Sequence, residues 1–463
     1  MAKQKKPGKT AAGQKMAKLK SADRTLGMEV IHPNAAGIDV GNEEHYVAVP
    51  PRLDPQPVRK FGCFTADLRA TADWLSQIGV TTVALQSTGV YWIPLYEELT
   101  GRGIEVFVVN AQDTKNVPGR KTDVAECQWI LKLHVHGLLR GSFRPSQEIC
   151  ILRTLWRQRQ QHIADAARCT QRMQKALTQM NVQLANVISD IVGVSGQAIL
   201  EAILSGERDP QRLADLCQPG IHASRETVAK SLEGNWHPEH LFVLEQEFQT
   251  YRHYQRMIAD CDAALRDRFQ AMEEKAAPQE LAPCRRHKRP RGNAVGSFDL
   301  RREQYRVAGV DLTGIDGINV MTAQTILSEV GFDVSAWPSE KHFVSWLNLA
   351  PKNRVSGGRI IGRDHRKTVS RAGEALRLAA NSLRKSDSYL GAQYRRLRGK
   401  LETARANKAM AAKLARIIYR LLKHGQEYID KGAQFYEEHH KQKQFQNLAK
   451  QAAKLGCTLT KVA

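Results

Sequence analysis

Long apolar runs are missing from this chain: no stretch approaches the ~18–20 consecutive apolar residues of a membrane span, which excludes an integral membrane helix. The eight cysteines, at positions 63, 127, 150, 169, 217, 261, 284 and 457, never form a CxxC pair. That argues against a zinc ribbon or a disulfide scaffold and fits a reducing cytoplasm. The N-terminus is basic but has no apolar core, so it is not expected to act as a secretory signal. No GxxxxGK(S/T) phosphate loop occurs, so no ATP-binding motif of that kind is expected. Acids are scarce: 47 Asp+Glu stand against 69 Lys+Arg, a formal net charge of +22, and the excess points to a polyanionic partner. A length of 463 residues leaves room for two to four domains with substantial cores.

The positive excess is concentrated. Residues 1–24 carry eight Lys/Arg and one Asp with almost nothing to bury, which reads as a disordered basic arm over 1–28. Residues 351–420 hold 19 Lys/Arg against four acids, and a third run, CRRHKRPRG at 284–292, sits in a Pro- and Gly-bearing linker. One such run is commonly just a solvated face. Three on one chain supply the cation density that neutralising nucleic-acid phosphates requires, without specifying a base sequence.

Over 29–145 strand and helix patterns alternate. Strands are expected at AAGIDVG, HYVAVP, VRKFGCF, TTVALQ and IEVFVVN, and helices at LRATADWLSQIG, YWIPLYEELTGRG and DVAECQWILKLHVHG. The order βββαβαβα is that of an RNase H-like domain, a mixed sheet flanked by helices. Over 146–273 the pattern becomes all-helical: steps of three and four residues from Ile149 to Ile191 meet apolar side chains at all but Arg159 and Thr170. A second run through Leu241, Leu244, Phe248, Tyr251, Ile258, Cys261, Leu265 and Phe269 returns the same signal. A hairpin within the chain and a dimerising coiled coil fit this pair of stripes equally.

A basic linker is placed at 274–306, a compact and mostly helical module at 307–425, and a helical tail at 426–463. In the module, GIDGINVMTAQTILSEVG sets a Gly-bearing turn before an amphipathic helix, like a helix-hairpin-helix whose turn amides hold a DNA phosphate. Asn319 stands where the second hairpin glycine usually does. The following LNLAPKNRVSGGRIIGRDHRKTVSRAGEALRLAANSLRK reads as a glycine-rich basic loop leading into a basic helix. The fold class is therefore α/β followed by all-α.

Three acids stand out. Asp39 ends the first apolar strand, and Asp123 and Glu126 are three apart on a later helix and share a face. One carboxylate on a strand and two on a helix make an oxygen donor set suited to Mg²⁺, with phosphate oxygens completing its shell. Acids at this spacing are equally those of a solvated helix face.

The blocks GIDVGNEEHYVAV, ALQSTGVYWIPLYEEL and GRKTDVAECQWILKLHVHGLLRGSFRP, with LTGIDGINVMTAQTILSEVG and WPSEKHFVSWLNLAPKNRVSGGRIIGR downstream, resemble the insertion-sequence one-ten family of transposases, in its eleven-eleven branch. The resemblance covers roughly residues 34–145 and 307–425. It implies a RuvC-like (RNase H-like) domain whose D-E-D-D acidic set holds Mg²⁺ or Mn²⁺, and a separate domain bearing a nucleophilic serine. It further implies a recombinase directed by a structured non-coding bridge RNA that pairs with donor and target DNA. Recombining two duplexes at once calls for a homodimer or a dimer of dimers, in the cytoplasm and on the nucleoid. Position by position, the first and third acids fall on Asp39 and Asp123. The second, normally Glu, falls on Gln86, and the fourth, normally Asp, on Glu126. Glu126 keeps the charge and adds a methylene, whereas Gln86 supplies one charge fewer and cannot act as a base. A site working with three acids, an impaired copy and a deliberate substitution all fit Gln86. The serine falls on Ser356 in RVSGGR, with Arg354, Arg359 and Arg363, and then Arg366 and Lys367, as the cations that would meet DNA. A metal-dependent nuclease using the acids alone, and a nucleic-acid-binding scaffold without catalysis, are the competing classes.

Overall fold

The computed structural model describes residues 28–87, 89–114, 122–283, 293–364, 370–425 and 431–458. All of the basic arm except Met28, the run at 284–292, Arg366 and Lys367 lie outside the described residues. The chain divides after Arg144 into two compact units.

In the first unit the strands are β1 (Ala35–Val40), β2 (Glu44–Ala48) and β3 (Val58–Gly62). They are followed by α1 (Thr65–Gln77), β4 (Thr82–Ser87), α2 (Trp92–Gly101), β5 (Glu105–Val109), α3 (Ala111–Thr114) and α4 (Asp123–Val135). The sheet order is β3-β2-β1-β4-β5; β1–β2 and β2–β3 are antiparallel, β1–β4 and β4–β5 parallel. Each expected strand and helix of this region is present, and the short α3 is an addition. Side chains alternate across the sheet. Ile38, Val40, Val83 and Leu85 join Leu68, Leu75, Leu95 and Leu99 of α1 and α2 in one core. Ala84 and Val109 pack with Ile130 of α4 in another.

The second unit opens with α5 (Gln147–Gln179), α6 (Val194–Leu204), α7 (Pro210–Asp215), α8 (Arg225–Ser231) and α9 (Pro238–Ala271). The apolar stripe predicts one helix as far as Ile191. The structure ends it at Gln179: Asn181 turns the backbone to φ +58, and Leu184 and Ile191 pack beyond the turn into the core that α6–α8 share with the last turns of α5. Of the two readings of the stripes, the hairpin within the chain is present. Arg172 meets Glu247 at 3.1 Å and Arg159 meets Asp262, so partners rise along α5 as they fall along α9 and the helices are antiparallel. Arg159, the charged exception in the stripe, is fully buried and also donates to the Asn293 carbonyl at 3.0 Å. A buried pair of this kind fixes register more than it adds stability.

Then follow α10 (Leu300–Ala308), α11 (Val320–Val330), α12 (Glu340–Trp346), β6 (Lys352–Ser356), β7 (Arg359–Asp364), α13 (Arg371–Ser382), α14 (Tyr389–Arg398), α15 (Thr403–His424) and α16 (Gly432–Lys454). Leu376, Met410, Leu414 and Ile418 are buried where α13 and α15 pack together. The expected helix-hairpin-helix turn has Gly317 at φ +87, and the Asn319 side chain caps α11 by accepting from Thr322 N at 2.8 Å. The segment read as a glycine-rich loop is a two-stranded hairpin. Gly357 and Gly358, at φ +54 and +76, form the left-handed pair that a two-residue hairpin turn needs.

Candidate active site

The first cluster is built by one close approach. A Cβ at Gly37 would lie 2.2 Å from Leu131 N and 2.6 Å from Cys127 O, so a larger residue there would displace α4 from β1. Asp39, two residues on, projects from the same face as Gly37. The first turn of α4 therefore reaches Asp39 and brings Asp123 and Glu126 with it. Thr122 caps that turn by accepting from Ala125 N, and the helix N-terminus favours both negative charges. Asp123 is exposed, and Glu126 and Asp39 are partly buried.

Electrostatics records the convergence. Burial first, then Glu126, then Asp123 push the Asp39 carboxyl up from 3.8 to about 6. Across the sheet, Asp39 is in register with Gln86 on β4 and with Tyr46 on β2, so the three stand abreast. Gln86 is 8% exposed, and its Oε1 accepts from the hydroxyl of the buried Thr114. Among the described residues no three His, Cys, Asp or Glu side chains are already closed into an ion cage. The donor set is oxygen throughout, and the mutual repulsion that raises Asp39 is what a divalent cation would relieve.

Burial and that repulsion together predict a stability effect. The folded-state value of Asp39 lies above its unfolded one, so its contribution is whole below pH ~4 and is lost as pH rises through ~6. Asp39→Asn is expected to stabilise the metal-free protein at pH 7.5 by about 1–2 kcal/mol, a figure discounted for partial solvent screening. Urea unfolding in chelator measures it; a less stable variant would contradict the cluster.

The second cluster is the hairpin tip. Ser356 is the last residue of β6, exposed, and paired with Arg359 across the turn, so the two side chains project together. Arg354 is also exposed. Arg363 lies on β7 opposite Asn353. The register passes from Val355–Ile360 to Arg354–Gly362, leaving Ile361 as the extra residue of a bulge. Val355, Ile360 and Ile361 are more than half exposed, an apolar content unusual for a free hairpin.

Tyr46 and Thr114 are neighbours of the first cluster that local sequence pattern does not mark. Tyr46 is legible only once β2 is paired with β1, and Thr114 lies 28 residues from the Gln86 it touches.

A family model described as Transposase, of the DEDD type named for IS110, matches residues 36–182. A second, described as Transposase IS116/IS110/IS902 family, matches residues 311–395. No curated protein matches the chain. No described helix is long and apolar enough to cross a membrane.

Proposed function

We propose that this DNA transposase, whose matched domains are those of IS110-family insertion-sequence transposases, exchanges DNA strands through a serine–DNA intermediate under the direction of a bound RNA. The observation that carries the reading is the convergence of Asp39, Asp123 and Glu126, with Asp39 driven up to about 6 by burial and by its two neighbours. The sheet order and strand directions support an RNase H-like, RuvC-like first domain. Asp39, Asp123 and Glu126 would hold Mg²⁺ or Mn²⁺, with the Gln86 amide beside them. A bound divalent cation supplies charge neutralisation at the phosphate and at the departing oxygen.

Ser356, exposed at a glycine turn, attacks the scissile phosphorus. Its oxygen gives up the hydroxyl proton and bonds to phosphorus, the bond to the departing deoxyribose oxygen breaks, and that oxygen takes up a proton. A hydroxyl of the partner strand then attacks the serine phosphoester and frees Ser356. Phosphodiester energy is conserved, and no nucleotide need be hydrolysed. Arg354 and Arg359, with Arg363, Arg366 and Lys367, neutralise the strand. Two duplexes require two copies of the chain or two pairs.

RNA guidance is tested by altering the sequence of the RNA that copurifies with the protein. The insertion target should change with it; a target indifferent to that sequence removes RNA from the reading.

Gln86 is tested separately. Gln86→Glu places a fourth carboxylate, buried, beside Asp39, and should destabilise the metal-free protein by about 1–3 kcal/mol. The same change should tighten Mn²⁺ binding and raise recombination. Recombination unchanged or lower would mean that the site is built around the amide and its Thr114 contact.

A further inference from the structure

The long helix α15 carries a cluster of cations that the proposed chemistry does not use. Lys413, Arg416 and Arg420 follow one stripe at spacings of three and four residues. Arg416 and Arg420 converge on one acid, Glu340 at the start of α12: Arg420 Nε donates to Glu340 Oε2 at 2.7 Å, and Arg416 Nε lies 4.0 Å from Oε1. Lys413 is half-buried beside them. Burial, then Arg420 and Arg416, push its ammonium below the usual range; Glu340 opposes this, and Lys443 of α16 adds to it. Two guanidinium groups thus share the Glu340 carboxylate, with Lys413 as a third cation of the same stripe.

Gathering like charges on one helix face destabilises the helix, and taking a lysine partly out of water adds to the cost. The arrangement makes physical sense when an outside polyanion completes it. We propose that Lys413, Arg416 and Arg420 form a contact for the phosphate backbone of duplex DNA, with Glu340 holding the two guanidinium groups in place until phosphates displace it. The inference rests on the reading of this chain as a DNA transposase and adds where the substrate is gripped, apart from the acids and Ser356. Seven residues of helix span about 10 Å, the rise of about three phosphates along one strand of B-form DNA. A straight, sequence-blind track of charge is suited to that backbone.

The test measures binding of a 30-base-pair duplex of random sequence to the full-length protein across a salt series. Replacing the stripe together (Lys413→Gln, Arg416→Gln, Arg420→Gln) should weaken binding about 10–100-fold near 0.1 M salt, and flatten the slope of log K against log salt by about two to three units. A charge-matched change on α7 and α8 (Arg212→Gln, Arg225→Gln, Lys230→Gln) should flatten it by less than one. Glu340→Gln should tighten binding several-fold, the opposite of what a merely structural ion pair predicts, and it reads the proposal even if the triple variant misfolds. Equal losses in the two triple variants, or weaker binding by Glu340→Gln, would overturn the proposal. So would a loss confined to RNA, which assigns the contact to RNA instead. Wild-type protein that binds no duplex at all would fail the DNA-acting reading itself, whereas normal wild-type binding with unchanged variants fails this contact alone.

Discussion

Ser356→Ala is expected to recombine no DNA and to trap no protein–DNA adduct, a loss of roughly 10³-fold or more, because nothing at the hairpin tip replaces the lost nucleophile. The variant should fold normally. Ser356 is exposed at the end of β6, and the glycine pair that shapes the turn is untouched. Losing a surface hydroxyl typically costs within ~0.5 kcal/mol. Nucleic-acid affinity should hardly move, since it rests on cations rather than on one hydroxyl. Denaturing electrophoresis of stalled reactions reads the adduct, and peptide mapping reads its position. Recombination at wild-type rate would end the nucleophile assignment. Strand cleavage that persists without attachment would favour the plain nuclease. An adduct on Ser370 would keep the covalent chemistry and move it, although that hydroxyl already caps α13 by accepting from Gly373 N at 3.2 Å.

The second large effect is at the acids. Asp123→Asn preserves shape and removes one of the two charges that raise Asp39. Recombination should fall by about 10²–10³-fold or more, and Mn²⁺ binding, followed directly by titration, should weaken at least about tenfold. The Asp39 carboxyl should move back toward its ordinary range. Stability should change little. The first turn of α4 loses a helix-dipole contact of about 0.3–1 kcal/mol, and relief of repulsion at Asp39 offsets it. Duplex and RNA affinity should stay within a few-fold of wild type, because the cationic surfaces are intact. Full recombination in this variant would remove Asp123 from the metal site.

Local pattern carried a good deal of this molecule. The alternating runs of the first unit marked all five strands and three of its helices, since a period of two or of 3.6 is set by neighbours in sequence. Asp39 was legible as a strand-end carboxylate, and Asp123 and Glu126 as one helix face. The stripes of α5 and α9 were visible, but not the point where the first one ends. Leu184 and Ile191 keep the spacing of a helix, yet they join the core that also holds Met173 and Leu177 from a chain that has already turned at Asn181. In sequence the serine segment looks like a loop, because glycine pairs signal turns in general and the short strands beside them carry little apolar periodicity.

By itself the sequence determined the polyanion-seeking charge, the order of strands and helices and the identity of each candidate group, because these depend on composition and local spacing. Tertiary structure decided which groups meet. Asp123 and Glu126 reach Asp39 because Gly37 has no Cβ to hold α4 away from β1. Gln86 and Tyr46 flank Asp39 through strand register, and Thr114 reaches Gln86 across 28 residues. Arg159 is an anomaly in its stripe until Asp262 of the antiparallel helix answers it. Each of these depends on pairing and close approach between segments distant in sequence, and local spacing does not encode such distances.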